Sequence, residues 1–155
     1  MKKEKMNNKG FSLVELIIVV AIMAVLVVAL APQYLKYVEK SRNSTDVNNA
    51  TAMVTAVQVY AADPDAADPF EADKSFTITV NSTKATVAGD QSASATAALT
   101  AAAINPDNVA CKSKTTWTEF VITGTVKPDG SITFNYTSTP GAAGGAVDPF
   151  AAAMK

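Results

Sequence analysis

Few side chains in this sequence are of the types that carry out chemistry. The chain of 155 residues contains no histidine and one cysteine. It therefore has no imidazole base, no Cys/His metal cluster and no internal disulfide, and no set of catalytic residues is visible. The sequence predicts a protein that is not an enzyme and that uses no cofactor. A net charge of −1 also predicts no nucleic-acid partner.

The densest group of potential metal ligands is the stretch DPDAADPFEADK at positions 63–74. Carboxylate oxygens are the ligands that calcium prefers. The stretch nevertheless lacks the glycine and the terminal glutamate of an EF-hand loop, and its prolines are typical of a loop between two elements. We expect a solvated acidic loop, and no metal site is predicted. The carboxylates are Asp63, Asp65, Asp68, Glu71 and Asp73.

A single carboxylate, Glu15, interrupts the apolar run of residues 11–31. A helix of this length extends about 31 Å, which is close to the roughly 30 Å hydrocarbon core of a bilayer. A carboxylate inside such a segment costs about 2.5–3.5 kcal/mol and usually marks a function or a partner. Four lysines precede the run, so we expect the N terminus to stay in the cytoplasm and the rest of the chain to lie outside it.

Two ordinary interpretations of this segment stay open. One is a secretory signal peptide cleaved after Ala31, although the apolar run is longer than the usual signal core of about 7–15 residues. Pro32 would also follow that cut, where proline hinders cleavage. The other is a permanent single-span anchor, which hydropathy alone does not exclude. Neither interpretation gives Glu15 a role.

The residues KG followed by FSLVELIIVVAIMAVL resemble the prepilin signature of type IV pilins and the related pseudopilins. The shared features are a short basic leader that ends in glycine, a phenylalanine, a glutamate four residues later and an apolar helix. The resemblance implies that a prepilin peptidase cuts between Gly10 and Phe11 and methylates the new amino group of Phe11. It also implies that Glu15 pairs with the terminal amine of a neighbouring subunit and sets its register. Pairing of Glu15 with Phe11 of the same chain stays open.

The resemblance implies that the activity of this chain is polymerisation. The chain would be a type IV pilin, made as a single-pass precursor in the cytoplasmic membrane and assembled into an extracellular helical filament for adhesion, motility or DNA uptake. The implied partners are further copies of the chain, the membrane, the prepilin peptidase, and a pilus assembly ATPase with its platform protein. The alternative is a major pseudopilin of a type II secretion or competence system.

The helix is expected to continue beyond the membrane segment. Pro32 should bend it where it leaves the bilayer, and Tyr34 and Tyr37 suit the aromatic belt at the membrane surface. Apolar residues then recur at spacings of 3 and 4, which predicts an amphipathic helix as far as Ala62, just before the Asp63–Pro64 pair. The predicted stripe is Val47, Ala50, Val54, Val57 and Ala61, with Met53 and Tyr60 beside it.

The second half of the chain is predicted to form a small sheet. Residues 75–80 and 83–88 favour a weak hairpin, and residues 91–104 favour an Ala-rich helix. A stronger hairpin is predicted where residues 115–126 and 131–137 flank the turn KPDG. One face of this hairpin should cover the helical stripe, while Trp117 and Val121 point the other way. An outward Trp117 is either an adhesive contact or, as we expect, a residue packed beneath a loop. The covering residues are Phe120, Ile122, Val126, Ile132, Phe134 and Tyr136.

These elements predict an α+β, pilin-like fold, in which the C-terminal half of a long N-terminal helix packs on a small antiparallel sheet. The expected organisation is a leader (1–10), a transmembrane or filament-core helix (11–31), an amphipathic half-helix (32–62), and a region of loop, sheet and Ala/Gly-rich tail (63–155). The tail is either mobile or held on the sheet by Val147 and Phe150. Cys111 is expected to be a small buried apolar residue. Many pilins fasten this terminal region with two cysteines, so packing or fibre contacts must replace that disulfide here.

Overall fold

One long helix, α1 (Leu13–Ala61), begins the part of the chain that the structure, a computed structural model, describes: residues 11–140 and 147–155. The helix ends one residue before the predicted position, because Asp63 precedes a proline and resists the helical conformation. The chain divides between Val38 and Glu39 into two compact units, and α1 contributes residues to both.

The described residues of the first unit, 11–38, form mainly apolar helix, and no other described element of that unit covers it. The large apolar side chains from Leu13 to Leu30 are each 46–76% exposed. Among the described residues, α1 is the one helix that is long and apolar enough to cross a membrane. Pro32 lies inside α1, and the helix continues without interruption on both sides of it.

The second unit is built on a four-stranded antiparallel sheet in the order β2-β1-β3-β4. Its strands are β1 (Ser75–Val80), β2 (Ala85–Ala88), β3 (Glu119–Val126) and β4 (Ile132–Thr139). Both predicted hairpins are confirmed, as β1 pairs with β2 and β3 pairs with β4. The prediction that a strand begins at residue 115 was wrong, since β3 begins four residues later. Ser113, Thr115 and Thr116 bind side chains of α1 instead of another strand.

The core lies between the sheet and the C-terminal half of α1. The predicted helical stripe is confirmed at its centre, where α1 buries Ala50, Met53, Val54, Ala56 and Val57. The stripe is shorter than predicted, because Val47 is half-buried and Ala61 is exposed. From the sheet, the predicted residues of β3 are fully buried and those of β4 are half-buried, since β4 is an edge strand. They are Phe120, Ile122 and Val126 on β3, and Ile132, Phe134 and Tyr136 on β4.

The Ala-rich helix α2 (Ser92–Ala101) is shorter than the predicted 91–104. It ends because Ala103 adopts the left-handed conformation, with φ 57°. The N–H of Ala103 then donates to the carbonyl of Thr100, and the N–H of Ile104 donates to the carbonyl of Leu99. This pattern is the Schellman motif, which closes a helix by satisfying its last carbonyls.

The C-terminal residues dock on the sheet through a short helix, α3 (Pro149–Ala153). Phe150 is fully buried, and its ring stacks on that of Phe120 with 4.3 Å between the centroids. Asp148 caps the helix and also accepts hydrogen bonds from the N–H and the hydroxyl of Ser138 at 2.8 and 2.9 Å. The prediction of Phe150 as an anchor is confirmed. That of Val147 was wrong, as it is 63% exposed.

Phe150→Ala is expected to lower the free energy of unfolding by about 3–5 kcal/mol, because it removes a fully buried ring and leaves a cavity. The matched control is Val147→Ala, which removes an exposed apolar side chain from the same segment and should change that free energy by less than about 0.5 kcal/mol. Urea unfolding of the detergent-solubilised full-length protein measures both. Equal stability of the two variants would show that the tail is not docked.

Candidate functional site

Two side chains, those of Ser12 and Glu15, cap the first turn of α1. Ser12 is the N-cap residue, and its hydroxyl accepts a hydrogen bond from the N–H of Val14 at 3.3 Å. Glu15 reaches back, and its Oε2 accepts from the N–H of Ser12 at 2.8 Å. This is a capping box, and its Ser-x-x-Glu pattern is visible in the sequence. Because Ser12 directly follows Phe11, the capping box holds the Glu15 carboxylate at the backbone N–H of the residue next to Phe11.

The other residues predicted to act in processing and assembly are spread along α1 or precede it. Phe11 is 90% exposed, and Tyr34 and Tyr37 are 67% and 69% exposed. Pro32 lies within α1, between Phe11 and Tyr34. Gly10, the predicted cleavage position, lies outside the described residues. The roles of all five residues stay predictions.

The acidic loop between α1 and β1 is exposed along most of its length. Its carboxylates are partly used within the loop: Asp63 accepts from the N–H of Asp65 at 3.0 Å, and Glu71 forms an ion pair with Lys74 at 2.6 Å. Across the described ranges 11–140 and 147–155, no three residues of the types His, Cys, Asp or Glu come together in a way that could hold a metal ion.

A polar cluster that sequence reasoning missed joins α1 to the loop before β3. Its centre is Asp46, which is fully buried on the face of α1 that carries the core residues. Oδ1 of Asp46 accepts from the N–H of Lys112 at 2.7 Å. Oδ2 accepts from the N–H of Ser113 and from Nε1 of Trp117, both at 2.9 Å. One carboxylate therefore fixes three positions of the loop.

Two turns earlier on α1, Glu39 holds the next part of the same loop. Its Oε1 accepts from the N–H groups of Lys114, Thr115 and Thr116 at 2.8–3.1 Å, and from the hydroxyl of Ser113 at 2.6 Å. Burial by itself would raise the pKa of Glu39. The hydrogen bonds, with that from Ser113 the largest, outweigh burial and hold the pKa well below the usual value for a glutamate.

Asn43 lies between these two carboxylates and donates to the hydroxyl of Thr116 at 2.8 Å. Glu39, Asn43 and Asp46 have the spacing i, i+4, i+7, which places them on one face of the helix. We call these three residues and loop 111–117 the polar cluster. The sequence does contain a signal for the polar cluster. Asp46 lies four residues before Ala50, so it falls on the same helix face as the apolar stripe. A carboxylate in such a position needs buried donors.

Trp117 and Cys111 belong to the polar cluster. The prediction that Trp117 points away from the core was wrong, since its side chain is 2% exposed and its indole N–H binds Asp46. The prediction failed because it extended the alternation of inward and outward side chains in β3 back to residue 117, which lies in the loop before the strand. Cys111 is buried as predicted, and its thiol also donates to Oδ2 of Asp46 at 3.4 Å. Burial, followed by the charge of Asp46, raises the pKa of Cys111 to about 12, so the thiol is unreactive.

The lowered pKa of Glu39 predicts how stability depends on pH. The folded state binds the Glu39 proton more weakly than the unfolded state does. The stabilisation is therefore complete above the unfolded pKa near 4.5 and is lost as the pH falls below it. Asp148 acts in the same direction, because its hydrogen bonds outweigh burial and lower its pKa as well. We expect the free energy of unfolding to be constant from pH 8 to 5 and to fall by about 2 kcal/mol towards pH 2.

Urea titrations at a series of pH values measure this dependence. Glu39→Gln should be less stable than the parent at pH 7 and should lose less stability between pH 5 and 2. Asp65→Asn, which changes an exposed carboxylate, should keep the parental slope. A Glu39→Gln variant with the parental slope would contradict the assignment.

Comparison with protein families finds a match at the N terminus. Residues 5–31 match the family model described as "Prokaryotic N-terminal methylation motif". The matched range contains the capping box, Phe11 and most of the exposed apolar helix. No solved structure matches the chain.

The curated relatives that match are pilins. The chain is 39% identical over 64 residues to the type IV major fimbrial protein FimA of Dichelobacter nodosus, covering 41% of this chain and 40% of that protein. It is 36% identical over 59 residues to the type IV major pilin protein PilA of Myxococcus xanthus (strain DK1622), covering 38% and 27%. The chain thus spans well under half the length of the relatives that it matches. Over this N-terminal segment the chain is similar to type IV pilins, and its α+β architecture is of the kind expected for such a protein.

Proposed function

We propose that this chain is a pilin precursor that is cut between Gly10 and Phe11, methylated on Phe11, and polymerised into an extracellular filament. Its role is structural, and its activity is assembly. The observation that carries the proposal is the match of residues 5–31 to the methylation motif, together with relatives named as major pilins. The prepilin peptidase, an assembly ATPase and its platform protein are partners that this proposal requires.

The exposed apolar helix supports the proposal on physical grounds. The large apolar side chains from Leu13 to Leu30 are about half or more exposed. A contiguous apolar surface of this size does not stay in water, because the hydrophobic effect strongly favours its association with other apolar surfaces. A bilayer covers this surface while the subunit is stored. Other copies of the same helix cover it after assembly, when packing replaces lipid contacts.

In this proposal, Glu15 sets the register between neighbouring subunits. Cleavage before Phe11 creates a positive amine one residue from Ser12, whose N–H already binds Oε2 of Glu15. No donor among the described residues binds Oε1, so it is the atom that can accept from the amine of a neighbouring copy. A charge buried without a partner is costly and a paired one is tolerated, which favours docked subunits over misaligned ones.

The N-terminal mass and sequence of protein sheared from the producing cells test the proposal. The expected chain begins at N-methylated Phe11 and is recovered in the sheared fraction. The same terminus found only in membranes would instead favour a major pseudopilin of a type II secretion or competence system. A chain that begins at Met1 or Pro32 would overturn the proposal, because the first is unprocessed and the second is a product of signal peptidase.

A further inference from the structure

Basic side chains gather at the end of the second compact unit where that unit begins, at Glu39. Lys40 and Arg42 lie on the first turn of α1 within the unit, and both are exposed. Lys112 and Lys114 are exposed as well, and they belong to the loop that the carboxylates of α1 hold. We call these four side chains the basic surface.

The polar cluster fixes the position of the two loop lysines. The N–H of Lys112 donates to Oδ1 of Asp46 at 2.7 Å, and the N–H of Lys114 donates to Oε1 of Glu39 at 2.8 Å. These bonds hold both backbones against the segment of α1 that carries the other two basic residues, and they use no side-chain atom of either lysine. Binding residues are often found on loops that a rigid scaffold positions in this way. The basic surface is therefore preformed.

The carboxylates at this end neutralise the basic surface only in part. Asp46 is fully buried, and Glu39 forms an ion pair with Arg42 at 3.6 Å. None of the three lysines of the basic surface forms an ion pair with a carboxylate of residues 11–140 or 147–155. Glu119 is half-buried and lines the same pocket as Lys114. The exposed charge at this end is thus predominantly positive.

The acidic loop lies at the other end of the part of α1 that belongs to this unit, so the charge of the unit is polarised. Asp63, Asp65 and Asp68 are exposed there. The helix from Arg42 to Ala61 is about 29 Å long, which exceeds the Debye length of about 8 Å at physiological ionic strength. The acidic loop therefore does not neutralise the basic surface. A negatively charged layer would attract one end of the unit and repel the other.

We propose that the basic surface binds the anionic phosphate headgroups of the membrane that holds the precursor. The unit is tethered at Glu39, because α1 continues from there into the apolar segment. A tether raises the effective concentration of headgroups at the basic surface, and an anionic bilayer attracts basic residues within about one Debye length. The proposal rests on the membrane-inserted precursor of the proposed function, but it requires neither cleavage at Gly10 nor polymerisation.

A lipid surface suits this arrangement because it demands no precise geometry from the side chains. Lysine and arginine have long side chains, and each one near an anionic bilayer contributes a similar share to binding. The four residues come from two segments of the chain and are all exposed, as contact with a broad charged layer requires. The same headgroups repel the acidic loop, so both ends of the unit favour the same orientation.

Acetylation of the lysines by an uncharged reagent, read by mass spectrometry, tests the proposal. The unprocessed full-length chain is reconstituted in vesicles of phosphatidylcholine, or of phosphatidylcholine mixed with anionic phosphatidylglycerol. Lys40, Lys112 and Lys114 should react at least about tenfold more slowly in the anionic vesicles, because each basic residue shifts the ratio of bound to unbound units about fivefold. Lys127, which follows the opposite end of β3, is the internal control and should change less than about twofold. High salt should remove the protection.

Substitutions at the basic surface give a second readout. Lys112→Gln with Lys114→Gln keeps the backbone N–H groups that bind the polar cluster but removes two charges. It should raise the acetylation rate of Lys40 in the anionic vesicles by at least about tenfold. Lys127→Gln is the matched control and should leave that rate unchanged. Glu119→Gln removes a negative charge beside the basic surface and should slow the acetylation of Lys40 further.

Equal acetylation rates in the two kinds of vesicle would overturn the proposal. Protection that appears in both kinds of vesicle and rises with the density of protein would also overturn it, because the acidic loop of another copy would then cover the basic surface. Protection by soluble phosphate in phosphatidylcholine vesicles would show a site for free anions instead of headgroups. An unprocessed chain shows each of these results, so the failure of this proposal is distinct from a failure of processing or assembly.

Discussion

Asp46→Ala is expected to lower the free energy of unfolding by about 3–5 kcal/mol, enough to unfold a large fraction of a marginally stable protein. The substitution removes the acceptor for the N–H groups of Lys112 and Ser113 and for the indole of Trp117. The donors of Ser113 and Trp117 stay buried without partners, and each such donor costs about 1–3 kcal/mol. The loss of stability is larger than a cavity the size of a carboxylate would cause, because the substitution also releases the loop that leads into β3.

Asp46→Asn should rescue little of this loss. The amide keeps one acceptor oxygen, but its NH2 group faces donors that need an acceptor. Asp65→Ala is the control, since it removes an exposed carboxylate and should change stability by less than about 0.5 kcal/mol. Urea unfolding of the detergent-solubilised full-length chain, followed by circular dichroism and by the fluorescence of the single tryptophan, measures all three. Parental stability of Asp46→Ala would show that the polar cluster contributes nothing.

The parts of the fold that could be predicted are those set by local patterns. The long helix follows from apolar spacing and from the Asp63–Pro64 stop, and the hairpin of β3 and β4 follows from alternation around a Pro/Gly turn. The predicted helix faces were also correct where the pattern is strong, as at Ala50 and Val57. These features need only near neighbours in sequence, so a single sequence is sufficient to predict them.

The polar cluster could not be predicted as a whole, because its bonds join residues about 65–77 positions apart. Asp46 and Trp117 each have ordinary alternatives when taken alone: a solvated helix residue and a residue on the outer face of a strand. Only the tertiary structure brings the carboxylate to the indole. The same limit applies to the docked tail, where the packing of Phe150 on Phe120 depends on a long-range contact that no spacing rule specifies.

The site at the N terminus was predictable for a different reason. Its residues lie within one helical turn, so both the Ser-x-x-Glu capping box and the prepilin signature can be read directly from the sequence. The two patterns share Glu15, which gives this carboxylate two roles. It caps α1 within one copy, and in the proposed function it also pairs with the amine of another. A substitution that separates the two roles is therefore more informative than simple removal.

Glu15→Gln is expected to reduce filament assembly by at least about 100-fold while leaving the precursor in the membrane. Glutamine keeps the capping bond to the N–H of Ser12, since either Glu or Gln serves at this position of a capping box. It cannot neutralise the amine of Phe11 in a neighbouring copy, and a buried charge left without its partner costs about 3–5 kcal/mol. Each 1.4 kcal/mol is a factor of ten in the docking equilibrium. Glu15→Ala should be at least as defective.

Two measurements make this prediction specific. Immunoblots of sheared and membrane fractions compare the amount of assembled protein with the amount of inserted protein for each variant. Ser12→Ala, which removes the capping hydroxyl but keeps the carboxylate, should assemble nearly as well as the parent. If Glu15→Gln assembled normally and Glu15→Ala did not, the capping bond would be the essential contribution of Glu15. Its charge would then play no part in register, because glutamine carries no charge.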